Sequence, residues 1–148
     1  MKNFHNITER DEVKEFLVQP LLARMATCNP KTLQPHVVPV WFGWDGESIW
    51  IHTFWSTRKV RELQANPRIS VTVDTDGGGK PARGVIFEGQ AELIRDPAVI
   101  VPRANSIYVR YLGEAGAQEA EPQSWIHDAE SALIKVTPDK VQAWGLGG

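Results

Sequence analysis

The sequence lacks the features that would connect it to a disulfide framework, a nucleic acid or a membrane. It has one cysteine, Cys28, so no internal disulfide can form, which is typical of a reducing cytoplasm. The formal net charge of −2 gives no basic field for nucleic acid or anionic lipid. No apolar run approaches the roughly 20 residues that span a bilayer, and the N-terminal stretch lacks the apolar core of a signal peptide. We therefore expect a cytoplasmic protein without nucleic-acid or membrane partners.

The residue spacings of common catalytic and metal sites are also missing. The four histidines form no i, i+4 pair and have no cysteine or carboxylate cluster nearby, so we expect no zinc site. There is no Gly-x-Ser-x-Gly elbow, and the triple glycine at 77–79 is not followed by the Lys-Ser/Thr of a phosphate loop. The carboxylates are scattered, with no acid/base pair. If the protein is an enzyme, we expect a cofactor to carry its chemistry.

What the sequence does contain predicts one domain, 1–148, built mainly of strands. Hydrophobic residues make up 42% and charged residues 23%, which is ordinary for a globular protein. Hydrophobic periodicity and turn residues predict helices at Glu9 to about Gln19, capped by Thr8, at 57–66, and at 97–113 with an interruption at Pro102. They predict strands at 21–28, 36–44, 48–54, 68–74, 82–94, 131–138 and 140–145. Because hairpins connect most of these strands, the pattern predicts a small antiparallel barrel with short peripheral helices.

Three local features refine this prediction. Pro39 cannot donate to a strand ladder, so it marks an edge, a bulge or a place where a ligand replaces a strand, and Gly89 marks a bulge. Residues 113–124, rich in Gly, Ala and Glu, are expected to form a mobile loop. Cys28 lies in an apolar strand and is expected to be an inert thiol. Because a barrel of this size is filled with side chains, a ligand would lie on its outer surface or between subunits.

One stretch, Ser56-Thr57-Arg58-Lys59, places two hydroxyls and two cations where a predicted strand becomes a helix. A helix N-terminus has free backbone N–H groups and the positive end of the helix dipole, so this stretch can bind an anion. Alternatively, Ser56 or Thr57 simply caps the helix, and the two cations are solvated surface charges. These four residues alone do not separate the two interpretations.

Four stretches together resemble the pyridoxamine 5′-phosphate oxidase-like split-barrel flavoproteins. Residues 51–71, IHTFWSTRKVRELQANPRISV, resemble the segment that binds the flavin phosphate in that family. In register with it are PHVVPVWF at 35–42, ARGVIFEGQAELI at 82–94, and VTPDKVQAWG at 136–145, where Pro138 and Trp144 match the family's proline and tryptophan. The resemblance extends roughly from Leu21 to Gly145. It implies a mainly β (α+β) domain, a six- to seven-stranded antiparallel split β-barrel, that forms a homodimer with flavin mononucleotide (FMN) at the interface.

The resemblance also implies a set of cofactor-binding residues, with at least one contributed by the partner subunit, while the catalytic residues stay unknown. These are Thr57, Arg58 and Lys59 at the phosphate, His52 and Thr53 near the ribityl chain, Val38, Pro39, Val40 and Trp41 along the isoalloxazine ring, and Arg83 and Trp144 closing the site. A phosphate dianion requires charge-assisted donors and a helix N-terminus, and residues 56–59 offer both.

Departures from the family pattern change the expected substrate. True pyridoxamine phosphate oxidases carry an Arg and a Lys where this chain has His36-Val37 and Trp41-Phe42. They also continue into an Arg-Leu-His segment, whereas this sequence ends at Gly148. We therefore expect an FMN-dependent oxidoreductase acting on a less polar small molecule, with a nicotinamide or a dedicated reductase as electron donor. The alternatives are a reductase using the deazaflavin cofactor, a non-catalytic flavin-binding or stress-related module, and a structural barrel whose residues 56–59 only cap a helix.

Overall fold

The computed structural model describes residues 5–147 and contains five helices and seven strands. The helices are α1 (His5–Thr8), α2 (Asp11–Leu17), α3 (Arg58–Ala65), α4 (Pro97–Ala117) and α5 (Ala120–Ile126). The strands are β1 (Ala23–Cys28), β2 (Pro35–Val40), β3 (Gly43–Trp44), β4 (Ile49–Phe54), β5 (Arg68–Thr75), β6 (Arg83–Ile94) and β7 (Ser131–Trp144).

All seven strands form one antiparallel sheet in the order β2-β1-β5-β6-β7-β4-β3, which curls into a half-barrel. This confirms the predicted mainly β split barrel. Strand β2 is an edge of the sheet, which is where a proline is tolerated, and its Pro39 lies opposite Arg24 of β1. The register shifts between Glu88 and Gly89, which confirms the predicted bulge.

The interior of the half-barrel is the main hydrophobic core. Strand residues that alternate toward the inside, including Val71, Val85 and Phe87, are fully buried. Phe16 of α2 and Leu63 of α3 join the same cluster, so these two helices pack against the interior side chains. The interior is therefore filled by side chains, and a ligand has to bind elsewhere.

A second hydrophobic cluster lies outside the barrel, between α4 and the sheet. Ile100, Ala104 and Ile107 of α4 are buried together with Trp50 of β4 and Leu133 of β7. Helix α4 therefore covers the outer surface of β4 and of the first part of β7. No helix within residues 5–147 has both the length and the apolar character to cross a bilayer.

The prediction of a mobile loop at 113–124 is wrong. Gly113 has φ 77° and breaks α4, but the chain then resumes a helical turn and continues into α5. Two side chains in and after this segment, Ala117 and Ile126, are buried in the outer cluster. Gln123 also donates to the carbonyl of Ala117 (2.8 Å). Apolar burial at helical spacing outweighs the composition of the segment.

Several boundaries also differ from the sequence prediction. The two predicted C-terminal strands are one strand, β7, because Asp139 is an extra residue of β7 opposite the step from Glu88 to Gly89, and the ladder resumes at Lys140 past the proline. Helix α4 continues through Pro102 and breaks only at Gly113. Thr8 ends α1 instead of capping α2, whose N-cap is Arg10.

The predicted strand 36–44 is divided in two, because the chain leaves the ladder after Val40. Phe42 is fully buried in the barrel core, and its backbone N–H donates to the hydroxyl of Tyr111 (3.2 Å) instead of to a strand. The sequence pattern did not reveal this side-chain substitute for a ladder bond.

Candidate functional site

The candidate site lies where β4 ends and α3 begins. The connecting turn is held by backbone bonds from Trp55 N–H to the carbonyl of Glu130 (2.7 Å) and from Thr57 N–H to the carbonyl of Phe54 (3.1 Å). The guanidinium of Arg61 donates to the carbonyl of Ser56 (2.7 Å). The turn is therefore fixed from the sheet on one side and from α3 on the other.

The N-terminus of α3 is not capped by a side chain. Thr57 occupies the N-cap position with extended backbone, but its hydroxyl makes no cap hydrogen bond and donates instead to the carbonyl of Phe54 (2.9 Å). The hydroxyl of Thr53 lies 3.3 Å from that of Thr57. The first-turn N–H groups of α3 therefore have no side-chain acceptor, and the positive end of the helix dipole faces outward. The capping interpretation fits the position of Thr57 but not its hydrogen bond.

Lys59 is the less exposed of the two cations at this terminus. It is half-buried, and burial lowers the pKa of its ammonium group. Among the residues that the structure describes, no carboxylate lies within ion-pair distance of it. A half-buried ammonium without a counter-charge is a position where a bound anion is favoured.

Arg58 is held on one side and open on the other. Its Nε donates to Oε2 of Glu62 (3.0 Å), one helical turn further along α3. Its side chain is 48% exposed and lines a cavity of about 370 Å³ between α3 and the β1–β2 turn. Lys31 and Arg61 line the same cavity. Because Glu62 also lines it, this cavity combines three cations with one carboxylate.

His52 points away from this junction, because successive strand residues face opposite sides of the sheet. Its Nδ1 lies 2.6 Å from the hydroxyl of Tyr108, and its Nε2 lies 2.7 Å from the hydroxyl of Ser131. Burial lowers the pKa of His52 to about 4 and raises the pKa of Tyr108 to about 12. Both groups are therefore neutral near pH 7 and belong to the packing under α4. The structure brings Thr53, but not His52, to the junction.

The residues predicted to line the ring fall into two groups. Val38 and Val40 pack against the barrel core, while Pro39 between them is exposed on the outer face. Trp41 lies beyond the end of β2, stacked on Tyr111 of α4 with ring centroids 4.7 Å apart and an interplanar angle of 5°. Of these four residues, Pro39 is therefore the most exposed, and it lies on the free edge strand β2.

Arg83 and Trp144 lie at the opposite end of the sheet from the junction. Thr53 pairs with Ala132 near the start of β7, whereas Trp144 is the last residue of that strand. The ring of Trp144 lies over Gly84, where a Cβ would come within 2.2 Å of it. One protomer therefore does not bring these two residues to the β4–α3 junction.

Sequence reasoning missed several residues around the site. Glu62 is buried, and its only sequence signal is its i, i+4 spacing from Arg58. The partners of His52, Tyr108 and Ser131, are distant in sequence, and nothing in their local pattern marks them. No group of three His, Cys, Asp or Glu residues that could hold a metal ion occurs within the described range 5–147.

The donor set at the junction fits a phosphate group. It combines uncapped helix N–H groups, the guanidinium of Arg58 and the half-buried ammonium of Lys59. Helix N-termini with adjacent cations bind phosphate through charge-assisted hydrogen bonds. The site therefore meets the requirements of a cofactor that carries a terminal phosphate.

The chain is similar to one protein family and to several solved structures. The family model described as pyridoxamine 5′-phosphate oxidase matches residues 10–145. Among solved structures, a conserved hypothetical protein, Rv2991 of Mycobacterium tuberculosis, is 26% identical with a TM-score of 0.75, covering 90% of this chain and 82% of that one. An F420 reductase is 25% identical with a TM-score of 0.70, covering 87% and 94%. The heme storage protein HutZ of Vibrio cholerae is 20% identical with a TM-score of 0.74, covering 92% and 94%, a similarity of fold alone. No match is found among curated proteins.

Proposed function

The chain belongs to the pyridoxamine 5′-phosphate oxidase family, and from that premise we propose that it is an FMN-dependent oxidoreductase whose cofactor phosphate binds at the β4–α3 junction. The observation that carries this proposal is the uncapped N-terminus of α3 with Lys59 half-buried beside it and unpaired within residues 5–147. A desolvated charge is costly unless it is paired, so this arrangement favours a bound anion. The flavin, when bound, supplies the hydride-transfer chemistry that the protein's side chains lack.

The two cations have different roles at this site. Arg58 is planar and offers several donors in a fixed fork, which suits two-point binding of phosphate oxygens. Lys59 is a compact charge whose burial strengthens its attraction to an anion. The side chains of Thr53 and Thr57 lie beside the same turn and complete its polar lining.

We propose that the complete site requires a homodimer. The outer side chains of β2 are exposed, with Val37 59% exposed, and Trp144 at the far end of the sheet is 38% exposed. A second copy that packs on this open face would bring its own Arg83 and Trp144 toward the first copy's cofactor. This accounts for two predicted site residues that a single protomer holds at the opposite end of the sheet from the junction.

We do not expect this family member to use pyridoxamine 5′-phosphate as its substrate. Where the true oxidases have a phosphate-binding cation, this protein has Trp41 stacked on Tyr111 and the buried Phe42. A substrate phosphate without a paired cation there would be strongly disfavoured. We expect negligible oxidation of pyridoxamine 5′-phosphate together with measurable reduction of bound flavin by a nicotinamide. Pyridoxal phosphate production at a comparable rate would contradict this substrate assignment.

A second candidate is reduction with the deazaflavin cofactor, which the similarity to an F420 reductase favours. Both cofactors carry a phosphate, so the β4–α3 junction serves either. The absorption spectrum of the purified protein and mass spectrometry of the released cofactor separate the two. Release of FMN supports the first candidate, and release of the deazaflavin supports the second.

The test of the phosphate site is a titration of FMN into wild-type protein and three variants. We expect Arg58→Ala and Lys59→Ala each to weaken FMN binding roughly 10- to 150-fold, because each removes a charge-assisted hydrogen bond of about 1.5–3 kcal/mol. The matched control is Lys80→Ala, an exposed lysine in the glycine-rich loop. Equal effects of Lys59→Ala and Lys80→Ala would contradict the assignment.

A further inference from the structure

Glu62 is a buried carboxylate on α3, with only 5% of its surface exposed. Its two oxygens have different partners: Oε1 accepts from the hydroxyl of Thr27 on β1 (2.8 Å), and Oε2 accepts from Nε of Arg58 (3.0 Å). The ring Nδ1 of His36 on β2 lies 4.0 Å from Oε1. Burial opposes ionisation, but the hydrogen bonds from Thr27 and Arg58 outweigh it and lower the pKa of Glu62. The carboxylate is therefore charged near pH 7.

The contact with Glu62 uses only one of the donor groups of Arg58. Among the residues that the structure describes, neither terminal Nη group of Arg58 has a hydrogen-bond partner. Because a guanidinium is planar, fixing Nε fixes the directions in which the remaining N–H groups point. Fixing them in advance removes a rotational-entropy cost that a flexible side chain would incur on binding an anion.

We propose that Glu62 is a positioning residue for the phosphate site: it holds the guanidinium of Arg58 so that the Nη donors face the cofactor phosphate. This role rests on the proposed function of the β4–α3 junction. It differs from a purely structural role, which would act through the other carboxylate oxygen and tie α3 to β1 through Thr27. The two roles are separable because each oxygen serves one partner.

The experiment measures the affinities of FMN and of riboflavin, which lacks the phosphate, for wild-type protein and for variants. We expect Glu62→Gln to lower FMN affinity about 3- to 10-fold, which is within the range of coupling between directly contacting residues, and to leave riboflavin affinity unchanged. In an Arg58→Ala background, Glu62→Gln should cause no further loss. The control Thr27→Val removes the contact with β1 and should change the FMN-to-riboflavin ratio less than twofold, roughly the error of such a comparison.

Several results would overturn the positioning role. One is an equal loss of FMN and riboflavin affinity; another is a loss that persists in the Arg58→Ala background; a third is a change in ratio with Thr27→Val as large as that with Glu62→Gln. A rise in FMN affinity would show that Glu62 acts only as a negative charge near the phosphate. If Glu62→Gln does not fold, Glu62→Asp, which keeps the charge but withdraws it from Arg58, gives the same test.

The failure of this role is distinguishable from the failure of the proposed function. If wild-type protein binds FMN and riboflavin equally, both the phosphate site and the positioning role are overturned. If wild-type protein prefers FMN but Glu62→Gln leaves that preference unchanged, only the positioning role is overturned.

Discussion

The two halves of the sheet differ on their outer faces. Over β4 and the first part of β7, helix α4 buries Trp50 and Leu133 in a second hydrophobic cluster. On β2 and β5, the outer residues are exposed or half-exposed, from Val37 and Pro39 to Arg68 and Thr72. The covered half is completed by the chain itself. The open half carries the predicted ring-lining strand, and we propose that a second copy covers it.

The candidate phosphate site lies at the boundary between these halves. Strand β4 belongs to the covered half, and α3 packs against β1 of the open half through the bond between Glu62 and Thr27. A rigid, covered strand therefore leads directly to the donors of α3. Binding groups on such elements are held more accurately than groups on loops.

The largest expected effect comes from opening a cavity in the covered half. Ile107 is 2% exposed, so Ile107→Ala should reduce the free energy of unfolding by about 2–5 kcal/mol. The matched change in the open half, Val37→Ala, should alter the unfolding free energy of the separated protomer by less than about 0.5 kcal/mol. Urea denaturation measures both variants. Similar losses for the two would show that the halves do not differ as described.

A second prediction concerns the pH dependence of the covered half. Because the pKa of His52 is lowered to about 4 in the fold from its usual 6.5, the unfolded chain binds a proton between these values that the folded chain does not. Stability from this group is complete above pH 6.5 and is lost as the pH falls toward 4, by about 3 kcal/mol. Denaturation at several pH values should show this loss in the wild type and a smaller loss in His52→Gln. Equal acid sensitivity of the two proteins would contradict the neutral His52.

A third prediction compares a glycine of β6 at the far end of the sheet with a glycine beneath α4 in the covered half. A Cβ on Gly84 would come within 2.2 Å of the ring of Trp144, so Gly84→Ala must displace that ring and should cost about 1–3 kcal/mol of unfolding free energy. A Cβ on Gly43 would lie 3.4 Å from Ile107, an ordinary contact, so Gly43→Ala should cost less. Thermal unfolding, with Trp fluorescence to follow the ring of Trp144, checks both. A smaller cost at Gly84 than at Gly43 would be the contrary result.

The smallest expected change in protomer stability comes from a substitution that should dissociate the proposed homodimer. Val37→Glu places a charge on the open face and should alter the unfolding free energy of the separated protomer by less than about 0.5 kcal/mol. It should nevertheless dissociate the proposed dimer, since a charge without a partner is costly at an interface. Light scattering should give a mass near twice 16.6 kDa for the wild type and near 16.6 kDa for the variant. A monomeric wild type that retains its cofactor would rule out a shared site.

Features of the fold that depend on neighbouring residues could be predicted from the sequence, whereas features that depend on contacts between distant residues could not. Local patterns predicted most of the strands, the irregularity at Gly89 and, as one of three alternatives, the edge at Pro39, because each reflects a backbone property of one residue. The helix after Gly113 was missed, because burial against distant elements, not composition, stabilises it. The break in the ladder after Val40 was missed for a related reason, since the backbone N–H of Phe42 donates to the hydroxyl of Tyr111, far away in sequence.

The candidate site shows the same division. The positions of Thr57, Arg58 and Lys59 at the start of α3 followed from local sequence, because turn and helix signals are local. The partners that orient or bury these side chains could not be predicted from the local sequence. The carboxylate of Glu62 accepts a hydrogen bond from Thr27 on β1. The ring of His52 is hydrogen-bonded to Tyr108 and Ser131, away from the junction.

The most direct test of the central claim is the ratio of the affinities of the wild-type protein for FMN and riboflavin, measured by calorimetry under one set of conditions. The two ligands share the ring and ribityl chain, so the ratio reports only the phosphate. With at least two charge-assisted hydrogen bonds at the N-terminus of α3, each worth about 1.5–3 kcal/mol, FMN should bind at least about 100-fold more tightly. Equal affinities would contradict a phosphate site at the β4–α3 junction.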